Sequence, residues 1–405
     1  MRGNRSFWRS RGRAFGFGLL VLVAVPAGAP LARNAFAQEA PASKLSLLSP
    51  EQRRTHDAWK AARTAFEAEY DGYWNAVNGR RDERKRKRAA GKPFTAADYV
   101  LTQPPKYTGP VLPDAIAKIL ADDTPPVPET PRPMLGDFLQ AARDAYNFMP
   151  EVTTEEDFKR RYATEALAIG LTKDQVVKVY ALETGGMGTY DMQAGIHPQK
   201  RTGKAISSAL GYAQLLHANS VSELVKHGES FIRRLEAMAV TEKGAPPWRP
   251  ASLRTKAAIL RAMLKDARTV PNEWSAHVKF GGTQKGLAMH ALNLDADIGP
   301  WLQVIKLKGL KETAALEAGR TTLSGPEIEL MNLAGPRTGL EMLMPVAHDV
   351  PTTNFFSRQG YERNTVVRER TAAELLVELG KRMELGLVKP GAIEFAAAFD
   401  AVGKR

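Results

Sequence analysis

The residues best suited to chemistry lie at 181–186, where Ala-Leu-Glu-Thr-Gly-Gly places Glu183 between an apolar stretch and a glycine pair. Further along the chain, 211–216 reads Gly-Tyr-Ala-Gln-Leu-Leu. The first pattern predicts a carboxyl group at the end of a helix, beside a flexible turn. The second predicts a turn that offers an amide side chain. A single carboxyl group held in this way can act as a general acid, for example toward a glycosidic oxygen.

The residues before Glu183 predict the helix that positions it. Thr172 is a suitable N-cap, and polar residues follow it at 173–175. Val176 and Tyr180 then share one helical face with Glu183. Burial on that face and the negative end of the helix dipole both disfavour a charged carboxylate. We therefore expect the pKa of Glu183 to lie above the ordinary value of about 4.3.

The composition predicts a mostly α-helical protein. Of the 405 residues, 43% are hydrophobic, which is enough for one large core or two smaller ones. Periodic segments rich in Ala, Leu, Glu, Lys and Arg favour helices over strands. The absence of cysteine excludes disulfides and thiolate zinc sites, and the seven histidines show no metal-ligand spacing. We predict neither a metal nor a cofactor.

The first 37 residues are typical of a secretory signal peptide. Five arginines begin the segment, an apolar run covers 15–25, and Ala-Phe-Ala at 35–37 supplies a cleavage site. An uncleaved anchor is the alternative, although the apolar run is short for a membrane span. We expect the mature protein to be periplasmic or secreted.

The mature chain is modestly basic. Removal of 1–37, which holds six arginines and no acidic residue, leaves 51 of the 57 basic residues against 44 acidic ones, a net charge of +7. Much of the excess lies in the basic run 80–88, Arg-Arg-Asp-Glu-Arg-Lys-Arg-Lys-Arg. We interpret this run as a solvated helix end or linker, with attraction to an anionic polymer or membrane surface as the alternative. Export argues against nucleic acid as a partner.

The chain divides into three segments. After the signal peptide at 1–37, an N-terminal helical region with a proline-rich linker covers 38–133. Ser49 and Pro50 predict the start of a helix there, and prolines cluster over 104–133. The remaining segment, 134–405, is predicted to be one helical domain with a cleft. Besides the Glu183 helix, its expected helices lie near 138–146, 158–168, 207–217, 221–238, 253–267, 285–292, 298–309, 326–333, 372–385 and 393–399.

Four short motifs follow one another along the later segment. They are Glu-Thr-Gly at 183–185, Ser-Ala-Leu-Gly-Tyr-Ala-Gln-Leu-Leu at 208–216, Leu-Met-Asn-Leu-Ala-Gly-Pro at 330–336, and Val-Pro-Thr-Thr-Asn at 350–354 with Tyr361. In this order they resemble Glu-Ser-Gly, Gly-Ala-x-Gly-Leu-Met-Gln, Ala-Tyr-Asn-Ala-Gly and Glu-Thr-x-x-Tyr-Val of the soluble lytic transglycosylase (SLT) domain in the lysozyme-like superfamily. The resemblance implies a lysozyme-like helical domain with a substrate groove over 134–405.

The resemblance also implies an activity. Enzymes of this family cleave peptidoglycan between MurNAc and GlcNAc with a single glutamate, and they leave 1,6-anhydro-MurNAc ends without using water. Glu183 would then be the catalytic residue. The substrate-binding residues would be Tyr212, Gln214, Asn332 and Tyr361. Glycan strands of peptidoglycan would be the partner of this domain, and the N-terminal region could bind another envelope protein.

The sequence departs from the family pattern at several points. Thr184 replaces the serine after the glutamate, and Met331 stands in place of a tyrosine. The spacing from Glu183 to Gln214 is also longer than in the family. Two alternatives remain open. A hydrolase (muramidase) would use Asp191 opposite the glutamate to activate water, whereas a catalytically silent glycan-binding envelope protein would account for the missing tyrosine.

Overall fold

The structure, a computed structural model, describes residues 42–121, 132–242 and 244–404. The predicted signal peptide at 1–37 lies outside the described residues, as does the part of the proline-rich linker at 122–131. Within the described ranges the regular elements are helices, and isolated bridges occur without any β-strand. The prediction of a mostly α-helical protein is confirmed for this part of the chain. No helix in it is long and apolar enough to cross a membrane.

The helices follow one another with short connections. The α-helices of the described ranges are α1 (Ala42–Leu45), α2 (Pro50–Ala89), α3 (Asp114–Leu120), α4 (Leu135–Tyr146), α5 (Glu155–Ala168), α6 (Lys173–Glu183), α7 (His217–Thr241), α8 (Arg249–Ala267), α9 (Trp274–Gly281), α10 (Gln284–His290), α11 (Gly299–Ala318), α12 (Gly325–Ala334), α13 (Pro336–Met342), α14 (Arg358–Arg363), α15 (Ala372–Leu387) and α16 (Pro390–Gly403). Short 3₁₀ turns lie at Ala96–Asp98, Ala291–Leu294, Pro345–Ala347 and Thr352–Asn354.

Helix α11 joins two apolar cores. Leu302 and Ile305 pack into a cluster formed with α4, α7, α8 and α10. Val304 and Leu307 belong to a second cluster formed with α5, α6, α12 and α16. Because both sides of the helix are covered by other helices, its polar residues are held in fixed positions between them.

The predicted helix near 207–217 is wrong, because the chain forms a tight turn there and α7 begins only at His217. Gly211 and Gln214 adopt left-handed backbone conformations, with φ of 79° and 42°. Leu210 and Leu215 pair across the turn through an isolated antiparallel bridge. Residues in the left-handed region do not continue a right-handed helix, so the apolar spacing of this segment reflects burial and not helical structure.

The N-terminal helix α2 shares a core with the later segment. It begins as predicted, with Ser49 as N-cap and a reciprocal capping bond to Gln52. Near its middle, Trp74 and Val77 are buried in a third cluster with residues of α12, α14 and α15. The helix is therefore packed against the elements that carry the last two sequence motifs.

The basic run 80–88 forms the last turns of α2 and is split between two surfaces. Arg80, Lys85 and Arg86 are exposed, as expected for a solvated helix end. Arg84, by contrast, is 3% exposed and pairs with Glu341 at 2.7 Å. Arg88 contacts the same carboxylate. The interpretation of the whole run as a solvated end is wrong for these two residues, because buried acceptors on the protein balance their charges.

Candidate active site

Glu183 is the last residue of α6, as the sequence predicted. The helix begins with Thr172 as N-cap, whose hydroxyl accepts from the Gln175 backbone while the Gln175 side chain accepts from the Thr172 backbone. The amide of Gln175 also donates to the Leu323 carbonyl at 2.6 Å. These bonds fix both the start and the rotation of the helix, and they leave Glu183 only 5% exposed at its other end.

The glycine pair after Glu183 lets the chain turn away at once. Gly185 and Gly186 have φ of 64° and 70°. A Cβ atom on Gly186 would lie 2.2 Å from the carbonyl oxygen of Gly386 in α15, so no other residue fits this contact. The hydroxyl of Thr184 donates to the Tyr180 carbonyl at 2.7 Å, a helix-capping role that also suits the serine it replaces.

Asn332 reaches Glu183 from α12. Its Nδ2 lies 3.1 Å from Glu183 Oε1 and 3.3 Å from each carboxylate oxygen of Glu329, one turn earlier on the same helix. Lys306 of α11 donates from Nζ to the Asn332 side-chain oxygen. Two buried carboxyl groups, a half-buried ammonium group and a half-buried amide thus form one cluster, which we call the Glu183 cluster.

Burial shifts the pKa of each ionisable group in the Glu183 cluster. It raises the pKa of Glu183 well above its ordinary value, with the negative charge of Glu329 acting in the same direction and the positive charge of Lys306 opposing both. Burial also raises the pKa of Glu329 to about 7. The pKa of Lys306 is lowered, again chiefly by burial. Burial and the negative charge of Glu329 both favour the protonated form of Glu183.

The Glu183 cluster lies against a cleft of about 820 Å³. Its walls come from α7, α11, α12 and the segments around 209–216 and 355–360. The lining residues that matter for chemistry or recognition are Glu183, Gln214, Lys306, Asn332, Trp274 and Phe356. Trp274 is 40% exposed on the rim, which suits an aromatic ring that stacks on a ligand. The motifs around 183, 214 and 332 thus meet at one cleft.

Gln214 lines this cleft and has a buried acceptor atom without a partner in the described part of the chain. Its left-handed backbone turns the side chain inward, and Nε2 donates to the carbonyls of Gly211 at 2.8 Å and Met192 at 3.1 Å. With the amide nitrogen held in this way, Oε1 has no hydrogen-bond partner among the described residues. A buried acceptor without a partner costs free energy, so this atom is a suitable ligand contact.

The side chains of Tyr212 and Tyr361 do not line the cleft. Tyr212 is 1% exposed, its ring packs against those of Tyr180 and Phe395, and its hydroxyl donates to Glu155. Tyr361 is 4% exposed and its hydroxyl accepts from the Glu369 backbone at 2.9 Å. Both side chains therefore pack in the interior behind the cleft walls and do not face the cleft. The predicted sugar contacts of these two side chains have no support in their positions.

Asp191 also lies away from the cleft lining. Its carboxylate pairs with Arg201 at 2.9 Å and accepts from the Thr189 hydroxyl at 2.7 Å. The acidic residue that does approach Glu183 is Glu329, which the sequence did not single out. Its spacing of three residues from Asn332 was the available signal, because i and i+3 positions share a helical face.

No family model, curated protein or solved structure matches the chain. The functional argument therefore rests on the geometry of the cleft and on the motifs that meet there. Among the described residues, no group of three or more His, Asp or Glu side chains is arranged to hold a metal ion.

Proposed function

We propose that this protein is a lytic transglycosylase that cleaves the MurNAc–GlcNAc bond of peptidoglycan. The observation that carries the proposal is the carboxyl group of Glu183, which is buried beside a cleft, is hydrogen-bonded to Asn332 and has its pKa raised by burial. A carboxyl group that keeps its proton at neutral pH is the group needed to protonate a glycosidic oxygen. The order of the motifs in the sequence supports the same activity.

One residue can perform both proton transfers of this reaction. Glu183 gives its proton to the bridging oxygen, and the bond from that oxygen to C1 of MurNAc breaks. The C6 hydroxyl of the same MurNAc then forms a bond to C1, and its proton returns to the Glu183 carboxylate. The products are a GlcNAc hydroxyl and a 1,6-anhydro-MurNAc end, and the reaction consumes no water. Each catalytic cycle thus restores the starting protonation of Glu183.

The cleft offers the contacts that such a substrate would use. The buried Oε1 of Gln214, unpaired within the described ranges, can accept the N–H of an acetamido group once the side chain turns toward the cleft. Asn332 holds the catalytic carboxyl and borders the same space. Trp274 and Phe356 supply aromatic surface on which sugar rings can stack. The substrate lies outside the cytoplasm, which agrees with the signal peptide predicted at 1–37.

A glycan-binding protein without activity is the second candidate. Met331, where the family has a tyrosine, lines the cleft and brings no hydroxyl group to it. A hydrolase that uses Asp191 is less well supported, because this carboxylate is paired with Arg201 away from the cleft.

The test is digestion of purified peptidoglycan by the chain 38–405, followed by mass analysis of the soluble fragments. Fragments lighter by one water than the reducing sugars carry anhydro ends and support the proposal. We expect Glu183→Gln to lower the rate by at least about 100-fold while the protein stays folded, because glutamine cannot exchange the proton. Asp191→Asn is the matched control and should keep full activity.

Each alternative predicts a different result. Reducing ends in the fragments, together with loss of activity in Asp191→Asn, would support the hydrolase. Binding of peptidoglycan without release of fragments would support the binding protein. A folded Glu183→Gln variant with undiminished activity would remove Glu183 from the mechanism.

A further inference from the structure

The second carboxyl group of the Glu183 cluster has no place in a mechanism that needs one glutamate. Glu329 is fully buried (0% exposed), and the hydrogen bonds to it come from the side-chain nitrogen of Asn332. The same Asn332 nitrogen also donates to Glu183, so one amide joins the two carboxyl groups, and Glu329 is not among the residues that line the cleft. A buried acid in this place is costly unless it interacts with the catalytic group.

The pair and the charged groups near it lie on four helices. Glu183 lies on α6, Glu329 on α12 and Lys306 on α11, while Glu223 and Lys226 of α7 act on Lys306 at longer range. Two carboxylates and one ammonium group would leave a net negative charge in a buried space. One proton shared by the two carboxyl groups makes the Glu183 cluster neutral, which is the favoured state for two buried carboxyl groups.

We propose that Glu183 and Glu329 share a single proton, and that Glu329 is a positioning residue that keeps this proton on Glu183. This inference rests on the proposed function and adds a role for Glu329 to it. When the pair holds one proton, the ionised Glu329 accepts from the protonated Glu183, while Asn332 and Lys306 balance its charge. When Glu183 gives its proton to the substrate, two carboxylates face each other. Their repulsion favours the return of a proton to Glu183, as the second half of the reaction requires.

Two substitutions should move the Glu183 titration in opposite directions. Glu329→Gln removes a negative neighbour, so the pKa of Glu183 should fall and the alkaline limit of kcat/KM should move to lower pH. Lys306→Met removes a positive neighbour, so the pKa of Glu183 should rise and the alkaline limit should move to higher pH. If Glu329 and Lys306 only supported the fold, the two substitutions would not shift the pKa of Glu183 in opposite directions.

The experiment is a pH titration of the 38–405 chain with ¹³C-labelled glutamate carboxyl groups, followed by NMR. Glu183→Gln and Glu329→Gln identify the two resonances, and circular dichroism checks that each variant is folded. We expect both groups of the unmodified protein to titrate above the ordinary glutamate range, and Glu183 to titrate lower in Glu329→Gln. The proposal is overturned if both groups titrate near the ordinary value of about 4.3, or if Glu183 is unchanged in Glu329→Gln.

The titration separates this inference from the proposed function. If peptidoglycan is not cleaved but the two resonances behave as expected, the shared proton stands and the transglycosylase assignment fails. The opposite result is also informative. If peptidoglycan is cleaved but the alkaline limit of kcat/KM is the same in all three proteins (unmodified, Glu329→Gln and Lys306→Met), the activity stands and the role of Glu329 fails.

Discussion

Gln214 tests recognition at the scale of a single atom. Gln214→Asn suits the left-handed backbone but shortens the side chain by one carbon, which moves the acceptor further from the cleft. We expect kcat/KM on glycan strands to fall about tenfold, the value of one neutral hydrogen bond of about 1–1.5 kcal/mol. Steady-state kinetics on purified strands measure the loss.

A matched control exists in Gln193, whose Oε1 is also buried without a partner. Its amide nitrogen donates to the carbonyls of Pro133 and Ser207, and the residue does not line the cleft. Gln193→Asn should therefore affect stability but leave kcat/KM unchanged. Equal losses in both variants would mean that Gln214 supports the turn and does not contact substrate.

The candidate acid could be predicted from the sequence, whereas its neighbours could not. The Thr172 cap, the apolar spacing of the helix and the glycine pair after it are all local signals. Together they correctly predicted Glu183 at a buried helix end. Lys306 and Glu329, in contrast, occur in sequence contexts that look like solvent-exposed helix positions. Their burial depends on which helices pack against α11 and α12, and this is decided by contacts between residues far apart in the chain.

At the scale of elements, α2 fixes one wall of the cleft. Arg84 donates to the carbonyl of Asn354 at 2.6 Å, and Arg81 donates to that of Phe356 at 2.7 Å. Phe355 and Phe356, the two residues after Asn354, line the cleft. The N-terminal region thus holds a recognition surface of the candidate site through its basic run.

Removal of one buried arginine should loosen this wall. Arg84→Met leaves two carbonyls without a donor and weakens the pairing of Glu341, so we expect the free energy of unfolding to fall by about 3–5 kcal/mol. We also expect a higher KM, because the wall that carries Phe356 is no longer fixed. Urea denaturation and steady-state kinetics measure the two effects.

Arg80→Met is the control from the same run. Its side chain is 46% exposed and pairs with Glu83, one turn away. The expected loss of stability is below about 0.5 kcal/mol. If Arg84→Met were as stable as this control, α2 would not be a structural part of the cleft. If Arg80→Met weakened binding to peptidoglycan sacculi, this result would support the alternative that the basic run 80–88 attracts an anionic polymer.

At the scale of the whole molecule, the sequence indicated the helices better than their assembly. Ser49 and Thr172 begin their helices as predicted, because capping involves only neighbouring residues. The error at 207–217 arose where tertiary contacts at Gly211 stabilise a turn in an apolar segment. A Cβ atom on this glycine would lie 2.4 Å from the Gln303 side chain of α11. Such a contact joins segments that are far apart in sequence, so local pattern cannot reveal it.

A buried ionic network connects α8 to the start of α11. Asp297 accepts from Arg249 at 2.7 Å and from Lys256 at 2.6 Å, and Lys256 also pairs with the fully buried Asp295. Although burial alone would raise the pKa of Asp297, the hydrogen bonds from Arg249 and the charge of Lys256 lower it below the ordinary range. The network stabilises the fold only while Asp297 is ionised.

The pH dependence of stability should report this network. Because the pKa of Asp297 is lower in the folded than in the unfolded chain, its contribution is complete above the unfolded value of about 3.9 and is lost as the pH falls toward the folded value. Each pH unit in that interval should cost about 1.4 kcal/mol from this residue.

We expect Asp297→Asn to be strongly destabilised at pH 7, and the gap in free energy of unfolding between it and the unmodified protein to shrink below pH ~4. Chemical denaturation at a series of pH values measures the gap. Asp400→Asn, which changes an exposed aspartate on α16, should give only a small gap at pH 7. A gap for Asp297→Asn that stays constant with pH would mean that the residue stabilises the fold by packing and not by its charge.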